Sequence, residues 1–437
     1  MSSDLAVTAT SARDVAAVDT GTRRWPRRAL AASWLFALPL AFLGYGLAGW
    51  LRGWALGADS SVYRAGAVLL LHGRSPYVVS DLGYLHLSFT YPPAAALLFT
   101  PLAALPAQLA WAVMASASAL ALVLAIRVAI AAVPYWRFPA AWSTPLLTAA
   151  MLCLVPVWRT IALGQVNVLL MAMVAVDVLV VTARGSRWGG LLTGVAAAVK
   201  LVPLIFIPHL LLTGKRTAAA RALAVFAGLQ GLTLVIAPRD SGYWTSYVFQ
   251  TGRIGPAQQP YNQSLDGLIT RVTGVAPWSA HAAWLAGAVL AVPALLLVLR
   301  CHQRGQDVAA LCVTAFFGLL LAPVSWMPCW VWIALALITL LSWLQVMWRD
   351  AEWERWAGVS AVIVVIAVFA STYSVPISEQ RHRTLSPFWF FVLSNPYVLT
   401  TIAIALTWTA GRGVSRCRSA GWASGPAPPA WRSPPRR

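Results

Sequence analysis

The stretch "WGGLLTGVAAAVKLVPLIFIPHLLL" occupies residues 188–212 and carries Lys200 at its middle. A membrane-spanning helix needs roughly 17–25 apolar residues, so this run is too long for one upright helix. Basic residues flank both ends: Arg184 and Arg187 precede it, and Lys215, Arg216 and Arg221 follow it. Positive charge marks the cytoplasmic side of a membrane. We therefore read a hairpin of two broken helices that enters and leaves from one side, with Lys200 at its tip.

Composition supports a membrane setting. Of 437 residues, 59% are hydrophobic and only 10% are charged. Soluble domains average about 25% charged residues. The 23 Trp suit the membrane interface, and the 28 Pro are tolerated where neighbouring helices satisfy freed backbone groups. A formal net charge of +19 could suggest nucleic acid, but the basic residues lie mostly in short loops between apolar segments. That distribution controls topology, so no nucleic-acid partner is expected. The five cysteines (Cys153, Cys301, Cys312, Cys329 and Cys417) show no CxxC spacing. Neither a metal site nor a disulfide framework follows from them, and no cofactor is expected.

Spans are expected near 30–51, 107–132, 143–158, 166–183, 219–237, 279–299, 308–324, 329–348, 357–375 and 389–410. With both hairpin halves this makes an all-α, polytopic membrane protein of about 12 passes. Residues 1–29 read as a disordered cytoplasmic arm, 30–410 as the membrane domain, and 411–437 as a basic, Pro-rich cytoplasmic tail that could touch anionic lipid. The charge bias puts both termini inside. Two long connections, about 52–106 and 238–278, then lie outside and should hold interfacial helices, one a half-helix after Pro93. The working face is expected to be the outer one. No internal repeat of the transporter kind is visible.

Only 13 residues are Asp or Glu, so the acids can be audited singly. On the outer side stand Asp59, Asp81, Asp240, Asp266 and Glu379. Asp177 lies within a span, where it can simply face another helix. Asp59 opens a helix beginning "DSSVYRAG", with Tyr63 one turn later. Its plain reading is an N-cap. Its functional reading is a general base kept ionised by the helix dipole. Both stay open. "HGRSPY" (72–77) and "FTYPPAAALLF" (89–99) read as loop architecture. In "WRTIALGQVN" (158–167), Arg159, Gln165 and Asn167 form a polar cluster that must be partnered or line a cavity. Lys200 either snorkels to the outer headgroups or supplies a cation for a lipid phosphate. In "PYNQSLDGLITR" (260–271), Asn262, Gln263 and Ser264 suit sugar hydroxyls and ordinary loop bonding equally, and Arg271 follows. Trp326 sits in "LAPVSWMPCWVW" (321–332), a Trp-rich outer boundary.

Taken in order, "DSSVYRAGAVLLLHGRSPY", "FTYPPAAALLFTPLAALP", "GQVNVLLM", "GVAAAVKLVPLIF", "NQSLDGLITR" and "PVSWMPCWVW" resemble glycosyltransferase family 87 of the GT-C superfamily, the polyprenyl-phosphate-mannose-dependent mannosyltransferases. The resemblance spans roughly residues 30–410. It implies a cell-membrane enzyme that transfers mannose, through an α-1,2 linkage and with inversion, from a polyprenyl-phosphate sugar to an envelope glycolipid or lipoglycan. In that reading Asp59 is the base. Lys200 and Arg159 meet the donor phosphate, with Arg271 a third candidate. Tyr63, Gln165, Asn167, Asn262, Gln263, Ser264 and Trp326 are candidates for sugar or acceptor contact. One departure stands out. The family motif reads S-W-x-H-H, whereas this chain has Pro328 and Cys329 where the histidines would be. Transfer of arabinofuranose, or a non-catalytic or transport role, are the alternatives.

Overall fold

The computed structural model describes residues 24–79, 81–347, 352–371 and 386–409. Most of the expected arm, the basic tail, Cys417 and Glu379 lie outside those residues. The described residues contain no strand, and their β pairing is confined to the isolated bridges Leu82–Leu87 and Asn262–Trp326.

Leaving out 3₁₀ and π segments and single α-turns, the helices run in chain order as α1 Arg24–Arg52, α2 Ala58–Leu71, α3 Pro93–Leu98, α4 Ala107–Ala132, α5 Ala140–Leu152, α6 Val155–Leu163 and α7 Asn167–Val176. After them come α8 Leu191–Val199, α9 Phe206–Leu212, α10 Arg216–Ile236, α11 Leu265–Thr273, α12 Ser279–Gln303 and α13 Asp307–Leu321. The last four are α14 Ile333–Met347, α15 Glu352–Ala370, α16 Pro387–Ser394 and α17 Pro396–Thr409. Residues 24–29 thus belong to the first helix.

Among the described residues, five helices are long and apolar enough to cross a membrane, or up to seven if each bent pair is one span. The stretch expected as one span near 143–158 is α5 and α6, bent by 76°. Leu154 is extended and precedes the first turn of α6, where Pro156 supplies no N–H to continue the α5 ladder. Asn395–Pro396 bends α16 against α17 by 79° for the same reason. The run at 188–212 does break at its lysine. Lys200 is extended (φ −145°, ψ 137°), and a 3₁₀ turn at Val202–Ile205 leads into α9.

Small residues build the middle of the molecule. The buried positions of α4 include Ala112, Ala115, Ser116, Ser118, Ala119, Ala125 and Ala129, which let α1, α7 and α14 approach closely. Two of the long helices carry large apolar side chains on their outward faces. Leu223, Leu232 and Val235 on α10, and Leu285, Val289 and Val292 on α12, are exposed, as expected for lipid-facing surface. At one end of the bundle the helix ends and the two long connections enclose a cavity of about 860 Å³.

Candidate active site

Asp59 is not the helix cap. Gly57 holds that position with φ +65°, and Asp59 falls within the first turn of α2, its side chain facing the cavity. Only glycine fits at 57, because a Cβ there would lie 2.2 Å from Ser60 Oγ and 2.5 Å from the Trp111 ring. Gly164, also left-handed, ends α6 against the same two side chains and turns the chain so that Gln165 faces Asp59. Trp111 fixes this junction by donating its indole N–H to the carbonyls of Ile161 and Ala162, each at 3.0 Å.

From Asp59 a chain of hydrogen bonds runs to Lys200, with Asp59, Gln165 and Lys200 on the cavity wall and Asn167 behind it. Gln165 Nε2 donates to Asp59 Oδ2 at 2.9 Å. Asn167 Nδ2 donates to Gln165 Oε1 and, at 2.9 Å, to the Pro328 carbonyl. Lys200 Nζ donates to Asn167 Oδ1 at 2.9 Å and lies 3.4 Å from Cys329 Sγ. Thr160 also donates to the Pro328 carbonyl, pinning that loop to α6. A carboxylate and an ammonium are therefore held at the two ends of one network, with no direct ion pair between them. Burial pushes the Asp59 carboxyl up to about 6, against the opposing effects of the Gln165 hydrogen bond and the Lys200 charge. This reverses the lowering expected from the helix dipole, and a carboxylate raised toward neutral pH is a better base.

Arg159 and Trp326 also line the cavity, and the Arg159 guanidinium lies over the rings of Tyr261 (5.7 Å) and Trp158 (5.8 Å). Such stacking leaves a guanidinium free to donate to an anion. The other proposed residues sit elsewhere. Tyr63 is wholly buried behind the wall, bonded to Tyr91 Oη at 2.7 Å and stacked on Phe99. Asn262, Gln263 and Ser264 are wholly buried too. Asn262 donates to the carbonyls of Ala257 and Pro323 and accepts from Ser325 N. Gln263 donates to Pro260 and Ser394 and accepts from Tyr397 N. Ser264 caps α11 by accepting from Gly267 N. Arg271 spends its guanidinium on the carbonyls of Gln259 and Asn262 and on the Asn395 side chain. These polar groups tie the second long connection to α16, α17 and the loop at 322–329 and do not reach the cavity.

Tyr91, Arg253 and Tyr261 line the cavity although the sequence reading passed over them. Lys200 Nζ lies 5.9 Å over the Tyr91 ring, and Arg253 stacks on Tyr247 at 4.9 Å while donating to the Tyr77 carbonyl. The only available hint for Tyr91 was its place just before Pro92–Pro93. Of the acids expected on the outer side, Asp81 pairs with His86 at the exposed surface, and Asp240 is buried away from the cavity. Among the described residues, Asp59 and Asp266 are the two carboxylates that line it. Asp177 turns inward, accepting from the backbone N–H groups of Gly190 and Thr193 at the start of α8. No group of three His, Cys, Asp or Glu able to hold a metal occurs among the described residues.

The model of glycosyltransferase family 87 matches residues 89–323, more than half of the chain. This chain belongs to that family. A polyprenol-phosphate-mannose-dependent α-(1-2)-phosphatidylinositol mannoside mannosyltransferase of Mycobacterium tuberculosis is 31% identical over 376 residues, covering 75% of this chain and 87% of its own length. The enzyme of the same name from Mycolicibacterium smegmatis is 30% identical, covering 79% and 82%. A phosphatidylinositol pentamannoside mannosyltransferase of Mycobacterium tuberculosis is 34% identical over 305 residues, 65% of each chain. No solved structure matches significantly. As a family 87 glycosyltransferase with several apolar helices, the protein is a multi-pass membrane enzyme.

Proposed function

We propose that this protein transfers mannose from polyprenyl-phosphate-mannose to a hydroxyl of a phosphatidylinositol-mannoside-type glycolipid, forming an α-1,2 linkage. The observation that carries this reading is the network from Asp59 to Lys200 through Gln165 and Asn167. It holds a base and a cation on the wall of one cavity, as a displacement reaction requires. Relatives named for this donor, linkage and acceptor class support the choice of sugar.

The residues suggest the following chemistry. Asp59 takes the proton of the acceptor hydroxyl as its oxygen attacks the anomeric carbon. The bond from that carbon to the phosphate oxygen breaks on the opposite face. Its electron pair leaves with polyprenyl phosphate, so a β-linked donor gives an α-mannoside. Charge builds on the leaving phosphate, where Lys200 and Arg159 can stabilise it. Tyr91 lies under Lys200, and Trp326 offers a face for a sugar ring. Gln165 favours the charged form of the base through its hydrogen bond, and Asn167 links that amide to the cation. Cys329 stands where the family has histidine, so Lys200 carries the phosphate with no imidazole at that position. No cofactor is invoked.

For topology we propose about 12 passes, counting the helix at Leu191–Val199 and the shorter apolar helices near 167–182, 202–212, 307–321 and 355–370 as spans or half-spans. The catalytic domain covers 30–410, both termini are cytoplasmic, and the cavity opens on the outer face. The test is transfer of labelled mannose from polyprenyl-phosphate-mannose to phosphatidylinositol mannosides in membranes containing the protein. Product bearing a new α-1,2-mannose supports the assignment. Transfer from polyprenyl-phosphate-arabinose alone would replace the sugar, and no transfer from either donor would argue for a non-catalytic role.

A further inference from the structure

The lipid-facing helix α10 carries a buried glutamine in its last two turns, Gln230. Thr233, the other buried polar residue nearby, is satisfied inside its own helix by the Leu229 carbonyl at 2.6 Å. Gln230 instead reaches two other elements. Its Nε2 donates to the Ala198 carbonyl of α8 at 3.0 Å, and its Oε1 accepts from the Ala94 N–H of α3 at 3.3 Å.

Both backbone groups need a partner for the same physical reason. A continuing helix would give the Ala198 carbonyl the N–H of residue 202, but the chain turns extended at Lys200. Ala94 lies in the first turn of α3, where N–H groups have no partner within the helix. One amide thus satisfies the loose ends of two helix breaks. Lys200 stands two residues after Ala198, and Tyr91 three residues before Ala94. Their side chains meet on the cavity wall, with the ammonium 5.9 Å over the ring.

We propose that Gln230 is a positioning residue for the donor-phosphate site, fixing Lys200 relative to Tyr91 by bridging the helix ends that carry them. The inference rests on the reading of Lys200 as the donor-phosphate cation. Neither Gln230 nor Ala198 lines the cavity, so the glutamine acts through its neighbours.

The full-length protein is purified in detergent as wild type, Gln230→Met, Gln230→Glu and Lys200→Met. Donor and acceptor KM and the Kd for polyprenyl phosphate are measured on the monodisperse fraction. Methionine keeps the shape and loses both hydrogen bonds. A buried glutamic acid stays neutral in apolar surroundings and can make both. Gln230→Met should raise the donor KM and the polyprenyl-phosphate Kd about tenfold, the order expected when a displaced Lys200 loses one charge-assisted contact to the phosphate. The acceptor KM should stay within about twofold, and Gln230→Glu should restore donor binding. An unchanged donor KM in Gln230→Met overturns the proposal. So do parallel rises in both KM values, or a Glu variant as impaired as Met. Should Gln230→Met not fold, Gln230→Asn breaks at least one bond by its shorter reach, and an unchanged donor KM there is equally fatal. Donor binding untouched in Lys200→Met would overturn the underlying assignment. Binding lost in Lys200→Met but intact in Gln230→Met would overturn the bridge alone.

Discussion

Replacing Gln165 with leucine should move the pH dependence of transfer in a defined direction. Gln165 donates to Asp59 Oδ2 at 2.9 Å and so favours the ionised carboxylate. A hydrogen bond to a charged group contributes about 1.5–3 kcal/mol, and one pKa unit corresponds to about 1.4 kcal/mol. Its loss should therefore raise the carboxyl by about one to two units from its starting value of about 6. A base works only when deprotonated. Wild-type kcat/KM should thus rise through about pH 6 and level off above it. In Gln165→Leu the rise should come about one to two units later, leaving a deficit of about two- to tenfold at pH 7 that closes by pH 9. The assay is kcat/KM for labelled mannose transfer between pH 5 and 9, with folding checked at each end. A midpoint that stays put or moves down would refute the reasoning. So would a deficit that persists at pH 9, which would mean that Gln165 acts on something other than the charge of Asp59.

Lys200→Met should weaken donor use by about 100-fold or more in kcat/KM, with Lys200→Arg partly restoring it, because a charge-assisted contact to phosphate is lost. Steady-state kinetics with varied donor check this. Asp266→Asn should leave the pH midpoint unchanged, since Asp266 lines the cavity but stands outside the Asp59–Lys200 network; a shifted midpoint in the same titration would make it the base instead. Asn262→Leu should destabilise the protein by about 2–4 kcal/mol, because it orphans the Ala257 carbonyl and Ser325 N. Thermal unfolding in detergent reads that loss, and the KM values of the surviving fraction should match wild type.

Those expectations reflect what the sequence could and could not reveal. Lys200, Gln165 and Asn167 were legible because a polar residue in an apolar run has few reasons to be there. At Asn262, Gln263 and Ser264 the sequence left sugar contact and loop bonding equally open, and Arg271 follows in the same stretch. There the polar groups satisfy irregular backbone, a demand set by contacts with residues 61 to 131 positions away. Periodicity carries no trace of such pairings. Tyr91 and Arg253 were passed over because their place in the cavity depends on how the two long connections fold together. The helix breaks at Lys200 and before Pro156 and Pro396 follow local chemistry, but the bend angles of 76° and 79° come from packing. Asp59 read equally well as a cap. Only the left-handed Gly57 in the cap position freed its carboxylate for the cavity.

The claim that Asp59 is the base of a mannose transfer is tested most directly by one measurement. Membranes containing wild type or Asp59→Asn, at matched amounts of folded protein, are given labelled polyprenyl-phosphate-mannose and phosphatidylinositol mannoside acceptor. Loss of a general base costs about 10²–10⁴-fold, so product from Asp59→Asn should fall by at least about 100-fold while polyprenyl-phosphate binding persists. Transfer by Asp59→Asn within about threefold of wild type would contradict the account.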